Sequence, residues 1–220
     1  MKPVLTRDSL IQSAKIFCEI ESKANQKALI GVTDGKAVGT YIEHKFQRFL
    51  QSQYTVEIGN SAKGIDLPGS EIQTDIKVTS VTQPQSSCPF RNARQKIFGL
   101  GYHLLVFVYR KQDTADSCAL YFTHCAFIDK NRTADFTITR RLREMVQDGA
   151  NQEDIIGFLQ DRNIPGDEII YHNLAEEILS RPPEQGYLTI SNALQWRLQY
   201  SRVIDLSNSV PGVINYEWQA

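Results

Sequence analysis

The sequence EIQTDIKVTS, residues 71–80, alternates apolar and polar side chains. A period of two is typical of a β-strand with one buried face, and it places Asp75 and Lys77 together on the polar face. Residues 102–109, YHLLVFVY, form a nearly continuous apolar run, which is typical of a strand buried on both faces. These two segments predict the middle of a β-sheet.

Helical and strand-like patterns surround these two segments. We predict helices over residues 9–29, 40–52, 89–100, 137–147, 152–162, 168–180 and 192–200. We predict further strands over residues 54–58, 64–67, 117–128, 202–206 and 212–218. This order predicts a single α/β domain over residues 1–220, in which a mixed central β-sheet is flanked by helices. Its core would span about residues 39–128, and the C-terminal half would be mostly helical over about residues 135–200.

The composition is that of a protein that can form a sizeable core but has little overall charge. The chain has 220 residues, of which 41% are hydrophobic, so one compact domain is expected. Its 24 Lys and Arg residues nearly balance 25 Asp and Glu residues, and the formal net charge is -1. This balance excludes a histone-like tail protein and argues against binding to nucleic acid by bulk charge alone.

Membrane, export and nucleotide-binding signals are missing from the sequence. No apolar run approaches the roughly 18 residues of a membrane span, and the N-terminus lacks a signal-peptide pattern. The glycine motifs that hold nucleotide phosphates, GxxxxGK[ST] and GxGxxG, do not occur. We therefore expect a soluble, cytoplasmic protein with no membrane partner and no nucleotide cofactor.

The cysteines and histidines do not form a recognisable metal or redox motif. The four cysteines lack CxxC spacing and the four histidines lack zinc-like spacing, so we expect reduced thiols. Cys118 and Cys125 lie seven residues apart in a predicted strand. An odd offset predicts that their side chains point to opposite faces of that strand.

The segment GIDLPGSEIQTDIK, residues 64–77, carries the residues best suited to catalysis. Asp66 precedes a Pro-Gly turn, and Asp75 and Lys77 share one face of the next strand. Two carboxylates brought together across a turn, beside an ammonium group, are suited to hydrolysis assisted by a divalent metal. We predict that the two acids hold Mg²⁺ and that the lysine orients or activates an attacking water.

The tripeptide [Asp/Glu]-x-Lys alone has little predictive value, because it occurs four times in this chain. Glu21–Lys23 and Glu43–Lys45 lie on predicted helices, and Asp34–Lys36 lies in a glycine turn. Only Asp75–Lys77 lies on a predicted strand that follows another strand with an acid. The structural context therefore selects this copy.

With this motif, about residues 39–109 resemble the PD-(D/E)xK nuclease superfamily, and within it the small type II restriction endonucleases. The resemblance implies a restriction endonuclease-like fold and a Mg²⁺-dependent phosphodiesterase. It implies that Asp66 and Asp75 are the metal-binding acids and that Lys77 is the catalytic lysine. Ile65 stands where the motif has proline, which is a departure from the family pattern.

Two further groups are predicted at this site. The family often places an additional acid on an upstream helix, and Glu43 matches this position. Glu43 borders the apolar face of its predicted helix, from where it could reach a metal or a metal-bound water. The carbonyl oxygen of Ile76 is predicted as a further metal ligand.

A basic segment follows the predicted metal site. Residues 76–112 contain no Asp or Glu, although both are frequent elsewhere in the chain. Positive charge of this kind suits phosphate contacts, and Arg, Asn and Gln side chains can read base edges. The predicted DNA-binding residues are Gln83, Gln85, Ser86, Ser87, Arg91, Asn92, Arg94 and Lys96. A second basic group, residues 140–143, is a further candidate for backbone contacts, although a solvated helix face is the simpler interpretation.

Together these features predict a sequence-specific endonuclease that cuts double-stranded DNA and acts as a homodimer on a palindromic site. The helices after residue 135 would then contact DNA or form the dimer interface. One alternative is a repair, nicking or junction-resolving nuclease with the same chemistry. Another is a non-catalytic DNA-binding protein, in which Asp66 belongs to a turn, Asp75 and Lys77 form a solvated ion pair, and Glu43 is an ordinary helix-edge charge.

Overall fold

The computed structural model describes residues 2–59, 64–87, 92–191, 196–206 and 210–218. The α-helices are α1 (Arg7–Glu21), α2 (Gly35–Gln53), α3 (Arg94–Phe98), α4 (Phe136–Gln147), α5 (Gln152–Asp161), α6 (Glu168–Ser180) and α7 (Ser201–Ile204). The strands are β1 (Thr74–Ser80), β2 (Gln85–Ser87), β3 (His103–Asp113), β4 (Cys118–Ile128), β5 (Thr189–Ile190), β6 (Arg197–Gln199) and β7 (Val213–Glu217).

A four-stranded mixed sheet with the strand order β1-β3-β4-β7 forms the centre of the fold. Strands β1 and β3 are parallel, with Asp75 beside Leu104 and Lys77 beside Val106. The β3–β4 and β4–β7 pairs are antiparallel. Strand β1 therefore lies at one end of the sheet, where one side of its backbone faces away from β3. The predicted mixed α/β architecture is confirmed.

Helices α1 and α2 cover one face of the central sheet with a cluster of aromatic rings. The ring of Phe107 on β3 lies 5.0 Å from that of Phe46, 5.7 Å from Phe17 and 5.9 Å from Phe122, measured between ring centroids. Phe17, Phe46 and Phe107 are fully buried. Tilted and edge-on aromatic contacts add to the burial of apolar surface, so this cluster fixes α2 against β3, the strand that pairs with β1.

The opposite face of the central sheet packs against a second, smaller sheet with the order β2-β6-β5. Leu104, Val106 and Val108 of β3 contribute to this second core, together with Leu198 and Tyr200. The continuous apolar run of β3 is thus explained, because its two faces belong to two different cores. A third apolar cluster joins α3 to α4, α5 and α6.

Several predicted boundaries differ from the structure. The segments at 54–58 and 64–67 form single bridges, Val4–Thr55 and Leu67–Thr74, instead of strands. The strand predicted over 71–80 begins at Thr74, because Gln73 has a positive φ of 35° that is incompatible with extended backbone.

The C-terminal segment also differs from the prediction. The described part of the helix predicted over 192–200 contains β6 instead, and the strand predicted over 202–206 overlaps the helix α7. A short strand with an apolar residue between two polar ones resembles a helix edge, because three residues are too few to separate periods of 2 and 3.6. The strand predicted over 212–218 is confirmed as β7, and it completes the central sheet.

The predicted opposite orientation of Cys118 and Cys125 is wrong. Both thiols are buried in the core under α1 and α2. The register between β3 and β4 shifts after the Val108–His124 pair, so that Tyr109 is opposite Phe122. This bulge inserts Thr123 and restores both cysteines to one face, which a strict period of two cannot anticipate.

The described helices and thiols bear on two further expectations. Among the described helices, none is long and apolar enough to cross a membrane. Cys18, Cys118 and Cys125 are free thiols in the interior. Cys88 lies outside the described residues.

Phe107 is the centre of the aromatic cluster, so its removal should destabilise the fold strongly. We expect Phe107→Ala to lower the free energy of unfolding by about 3–5 kcal/mol, since it leaves a cavity between two helices and the sheet. Ile169→Ala is the control, because that side chain is 70% exposed and should change stability by less than about 0.5 kcal/mol. Denaturant unfolding measures both, and equal effects would contradict this description of the core.

Candidate active site

Backbone hydrogen bonds of Asp66 and of the next residue, Leu67, hold Asp66 next to β1. The Leu67 amide donates to the Thr74 carbonyl and the Thr74 amide donates to the Leu67 carbonyl, both at 3.0 Å. The Gly59 amide donates to the carbonyl of Asp66 at 2.8 Å. A Cβ atom on Gly59 would overlap the carbonyl oxygen of Ile65, so glycine is required for this close approach.

The carboxylate of Asp66 binds the free side of strand β1. The amide of Ile76 donates to Oδ2 of Asp66 at 2.7 Å. The N–H and C=O groups of one strand residue point to the same side of the strand. The carbonyl oxygen of Ile76 therefore also points away from β3 and towards the side on which Asp66 lies.

Asp75 and Lys77 of strand β1 form an ion pair on one face of the strand. The Lys77 ammonium lies 2.7 Å from Oδ2 of Asp75, and the two side chains are 19% and 8% exposed. The pair occupies positions i and i+2, which share a face. It is largely removed from solvent, so it differs from the solvated surface pair considered as an alternative above.

Glu43 reaches the same site from helix α2. Ile42 and Phe46 of α2 are buried in the core, which turns the neighbouring Glu43 towards the edge of the sheet. Its half-buried carboxyl group interacts with Asp66 and with the charges of Asp75 and Lys77. The structure thus brings together the four side chains that the sequence analysis selected.

Gln47 is a site residue that the sequence analysis missed. Its Nε2 atom donates to Oε1 of Glu43 at 3.3 Å. Gln47 follows Glu43 by four residues, and side chains at this spacing are neighbours on a helix. That spacing is the signal by which the pair could have been found.

Crowding and burial raise the pKa values of all three carboxyl groups. Burial is the largest cause for each of them. The pKa of Asp75 is raised to about 7, since burial and the nearby Asp66 outweigh the favourable charge of Lys77. The pKa of Asp66 is raised by burial, although its carboxylate accepts hydrogen bonds from Asp75 and from the Ile76 amide. The pKa of Glu43 is raised by burial despite the charge of Lys77. The one positive charge of Lys77 therefore does not compensate the negative charges of three carboxylates.

Such a site is chemically suited to a hard divalent cation. Carboxylate and carbonyl oxygens are the ligands that Mg²⁺ takes, and it usually keeps water and substrate phosphate in its remaining positions. Within the described part of the chain, no three or more His, Cys, Asp and Glu side chains are placed so that they could hold a metal ion together. Two carboxylates and the Ile76 carbonyl leave room for such ligands, so these residues fit a metal that also binds substrate.

Comparison with known proteins shows the family. The family model described as "Type II restriction enzyme NspV" matches residues 4–215. A curated relative, the type II restriction enzyme NspV of Nostoc sp. (strain ATCC 29411 / PCC 7524), is 53% identical over 213 residues, which are 96% of each chain. The chain belongs to the NspV family of type II restriction enzymes. This NspV-family enzyme is therefore a site-specific deoxyribonuclease, and the repair-nuclease and non-catalytic alternatives are set aside.

A solved structure gives a more distant likeness. The tetrameric restriction endonuclease SfiI bound to cognate DNA matches over 100% of this chain and 89% of its own, with 11% sequence identity and a TM-score of 0.40. A likeness of this size carries no inference about mechanism or assembly. The fold of this NspV-family enzyme rests on its own sheet topology.

Some of the predicted DNA-binding residues are exposed, and others form contacts within the protein. Gln83, Ser87 and Asn92 are exposed, and Gln85 is partly exposed. Ser86 points inward, where its hydroxyl lies 2.6 Å from that of the buried Tyr200. Arg91 lies outside the described residues.

Two predicted basic contacts are engaged within the protein. Arg94 forms hydrogen bonds of 2.6 and 2.9 Å to the carboxylate of Glu177. Lys96 is only 2% exposed, and its ammonium lies 5.4 Å from the centre of the Trp196 ring. The acid-free segment is therefore partly neutralised by acids from elsewhere in the chain, which a linear count of charges cannot reveal.

The raised pKa of Asp75 predicts a measurable effect on stability in the metal-free enzyme. The folded protein holds this proton more tightly than the unfolded chain, so the contribution of Asp75 becomes increasingly destabilising as pH rises from about 4 to about 7. Asp75→Asn removes that contribution. In EDTA, we expect the stability of the variant relative to wild type to increase by about 1–3 kcal/mol between pH 5 and pH 8.

Denaturant unfolding at a series of pH values measures this difference. The control is Glu71→Gln, because Glu71 is an exposed acid on the turn before β1. That substitution makes the same change of charge and should give a flat difference from wild type. Parallel profiles for wild type and Asp75→Asn would mean that Asp75 is not buried against other acids.

Proposed function

We propose that Asp66, Asp75 and Lys77 form the catalytic centre with which this enzyme hydrolyses phosphodiester bonds of double-stranded DNA in the presence of Mg²⁺. The observation that carries the proposal is the hydrogen bond from the Ile76 amide to Asp66, which fixes one carboxylate beside the Asp75–Lys77 ion pair.

The proposed metal ligands are Asp66, Asp75 and the carbonyl oxygen of Ile76, with Glu43 able to hold a bound water. When bound, Mg²⁺ would polarise the scissile phosphate and promote ionisation of a water. The raised pKa values of the three acids support this assignment, since a cation compensates the charge that Lys77 alone does not.

Lys77 has the chemistry to act on the attacking water and on the phosphate. Its ammonium is positioned by Asp75 at 2.7 Å and can donate a hydrogen bond to a phosphate oxygen as negative charge accumulates there. The same group can orient the attacking water. As the new P–O bond forms, the bond from phosphorus to the leaving nucleotide oxygen breaks, and the proton of the water passes to bulk solvent or to that oxygen. Gln47 holds Glu43 by a hydrogen bond, and thus acts as a positioning residue.

Loss of these side chains should abolish cutting and spare binding. We expect Asp75→Ala and Lys77→Ala to slow Mg²⁺-dependent cleavage of long unmethylated duplex DNA by at least about 10²–10⁴-fold. Retardation of the same DNA in EDTA should change little, because the fold and the remaining surface are retained. Discrete fragments from wild type, separated on a gel, measure the cleavage.

The matched control for this experiment is Glu71→Ala, which removes an exposed acid from the turn before β1. We expect its cleavage rate to equal that of wild type within about twofold, as it lies outside the proposed site. Cutting by wild type in EDTA, or normal cutting by Asp75→Ala, would refute the proposed centre.

We also propose that the enzyme acts as a homodimer. One chain offers one proposed site, while a duplex has two strands, and two-fold symmetry matches two such sites to a palindrome. Helices α4, α5 and α6 are the proposed contribution of the C-terminal half, either to this interface or to DNA contact. Sedimentation of wild type on its isolated cleavage site should give two chains per duplex, and one chain per duplex would contradict the proposal.

A further inference from the structure

Strands β2 and β6 form a short antiparallel ribbon beside the proposed catalytic strand. Gln85 is paired with Gln199, and Ser87 with Arg197. The third strand, β5, places Thr189 beside Gln199 on the far side of the ribbon. Residues directly opposite each other in an antiparallel pair share a face, so these pairs lie on one side of the small sheet.

The other side of the small sheet is buried. Leu198 and Ile190 have exposed fractions of 0% and 3%, and they pack against the central sheet in one apolar cluster. The hydroxyl of Ser86 contacts the hydroxyl of the buried Tyr200 at 2.6 Å. These contacts determine which side of the ribbon faces outward.

We use the name polar face for the outward side chains Gln85, Ser87, Arg197 and Gln199. Ser87 and Arg197 are exposed, while Gln85 and Gln199 are partly exposed. None of the three strands contains an acid. Within the described part of the chain, the guanidinium of Arg197 makes no ion pair, in contrast to that of Arg94.

A buried hydroxyl group connects the polar face to the proposed catalytic strand. Thr79 lies on β1 two residues after Lys77, and its Oγ1 atom is 3.1 Å from the carbonyl oxygens of Gln83 and Gln85 and from the amide of Gln85. The position of β2 is thereby fixed relative to Lys77. A ribbon fixed in this way can be presented to DNA in a defined register with the site of cutting.

We propose that the polar face enters the major groove and reads base edges, with Arg197 recognising guanine and the two glutamines recognising adenine. This inference rests on the function proposed above, and it adds residues from β6 that the sequence analysis placed on a helix. Arg can form two hydrogen bonds to guanine O6 and N7, and Gln can do so with adenine N6 and N7. Arg197 is therefore a specificity-determining residue.

The dimensions of the polar face suit this role. The major groove is about 12 Å wide and admits a two-stranded β-ribbon. Alternate residues along a strand are about 6.6–6.8 Å apart, which corresponds to about two base-pair steps of 3.4 Å. Gln85 and Ser87 along one strand, with Gln199 and Arg197 along the other, can thus reach base pairs that are two steps apart.

The experiment compares wild type with Arg197→Ala, Arg197→Lys and Arg162→Ala on a duplex library that contains a randomised segment. Sequencing the cut products gives the preference at each position. We expect Arg197→Ala to lose about 10- to 100-fold of the discrimination at a guanine position. Arg197→Lys should lose most of it as well, since a lysine does not reproduce the planar fork of arginine.

Binding and stability measurements separate base reading from other roles. With the isolated wild-type site in EDTA, both Arg197 variants should bind more weakly, whereas unrelated DNA should be bound by Arg197→Lys as by wild type. Arg162 is an exposed arginine at the C-terminal end of α5, so Arg162→Ala makes the same change of charge and should keep the wild-type preference. Unfolding midpoints should be alike for all four proteins, because both arginines are exposed.

The outcomes distinguish this inference from the function on which it rests. Wild-type cutting with unchanged preference in Arg197→Ala would overturn the reading role while leaving the proposed catalytic centre intact. An equal loss of affinity for all sequences, with the slope of affinity against salt reduced by about one, would make Arg197 a phosphate contact and would also overturn it. A wild-type enzyme without Mg²⁺-dependent cutting would refute the proposed function itself.

Discussion

The hydrogen bond between the Ile76 amide and the Asp66 carboxylate is the interaction on which the arrangement of the site depends. Strand β1 lies at the end of the central sheet, and only one side of its backbone pairs with β3. An unpaired strand edge requires partners for its N–H groups. Here a carboxylate satisfies one of them, so the need to complete a sheet edge also determines where an acid is held.

The charges at this edge show how a fold tolerates a site that opposes its own stability. Asp66, Asp75 and Glu43 are partly buried near one ammonium group, and all three pKa values are raised. Burial of incompletely paired charge is costly, and the aromatic core under α2 supplies the apolar burial that offsets it. Functional sites commonly combine such unfavourable local electrostatics with a rigid surrounding scaffold.

The sequence was most informative where the burial of a strand alone determines its pattern of apolar and polar residues. Alternation over β1 and continuity over β3 predicted the sheet, and the spacing of Asp66, Asp75 and Lys77 predicted their proximity. Sequence reasoning was less successful where tertiary contacts decide. The bulge at Thr123 changes which face of the sheet the side chains on either side of it point to. The charge of Arg94 is neutralised by Glu177, which is distant in the sequence. The three-residue strand β6 is stabilised by its pairing with β2, so its own periodicity could not identify it.

The proposed catalytic site and the small sheet differ in how far apart in the sequence their residues lie. The acids at the sheet edge and their lysine come mainly from one short segment, whereas the contact between Ser86 and Tyr200 joins residues 114 positions apart. A hairpin could be transplanted as a single piece, but this ribbon forms only when β2, from the first half of the chain, pairs with β6, near its C-terminal end. Its specificity is therefore not modular: exchanging one contiguous loop between relatives would replace half of the surface and leave the other half unmatched.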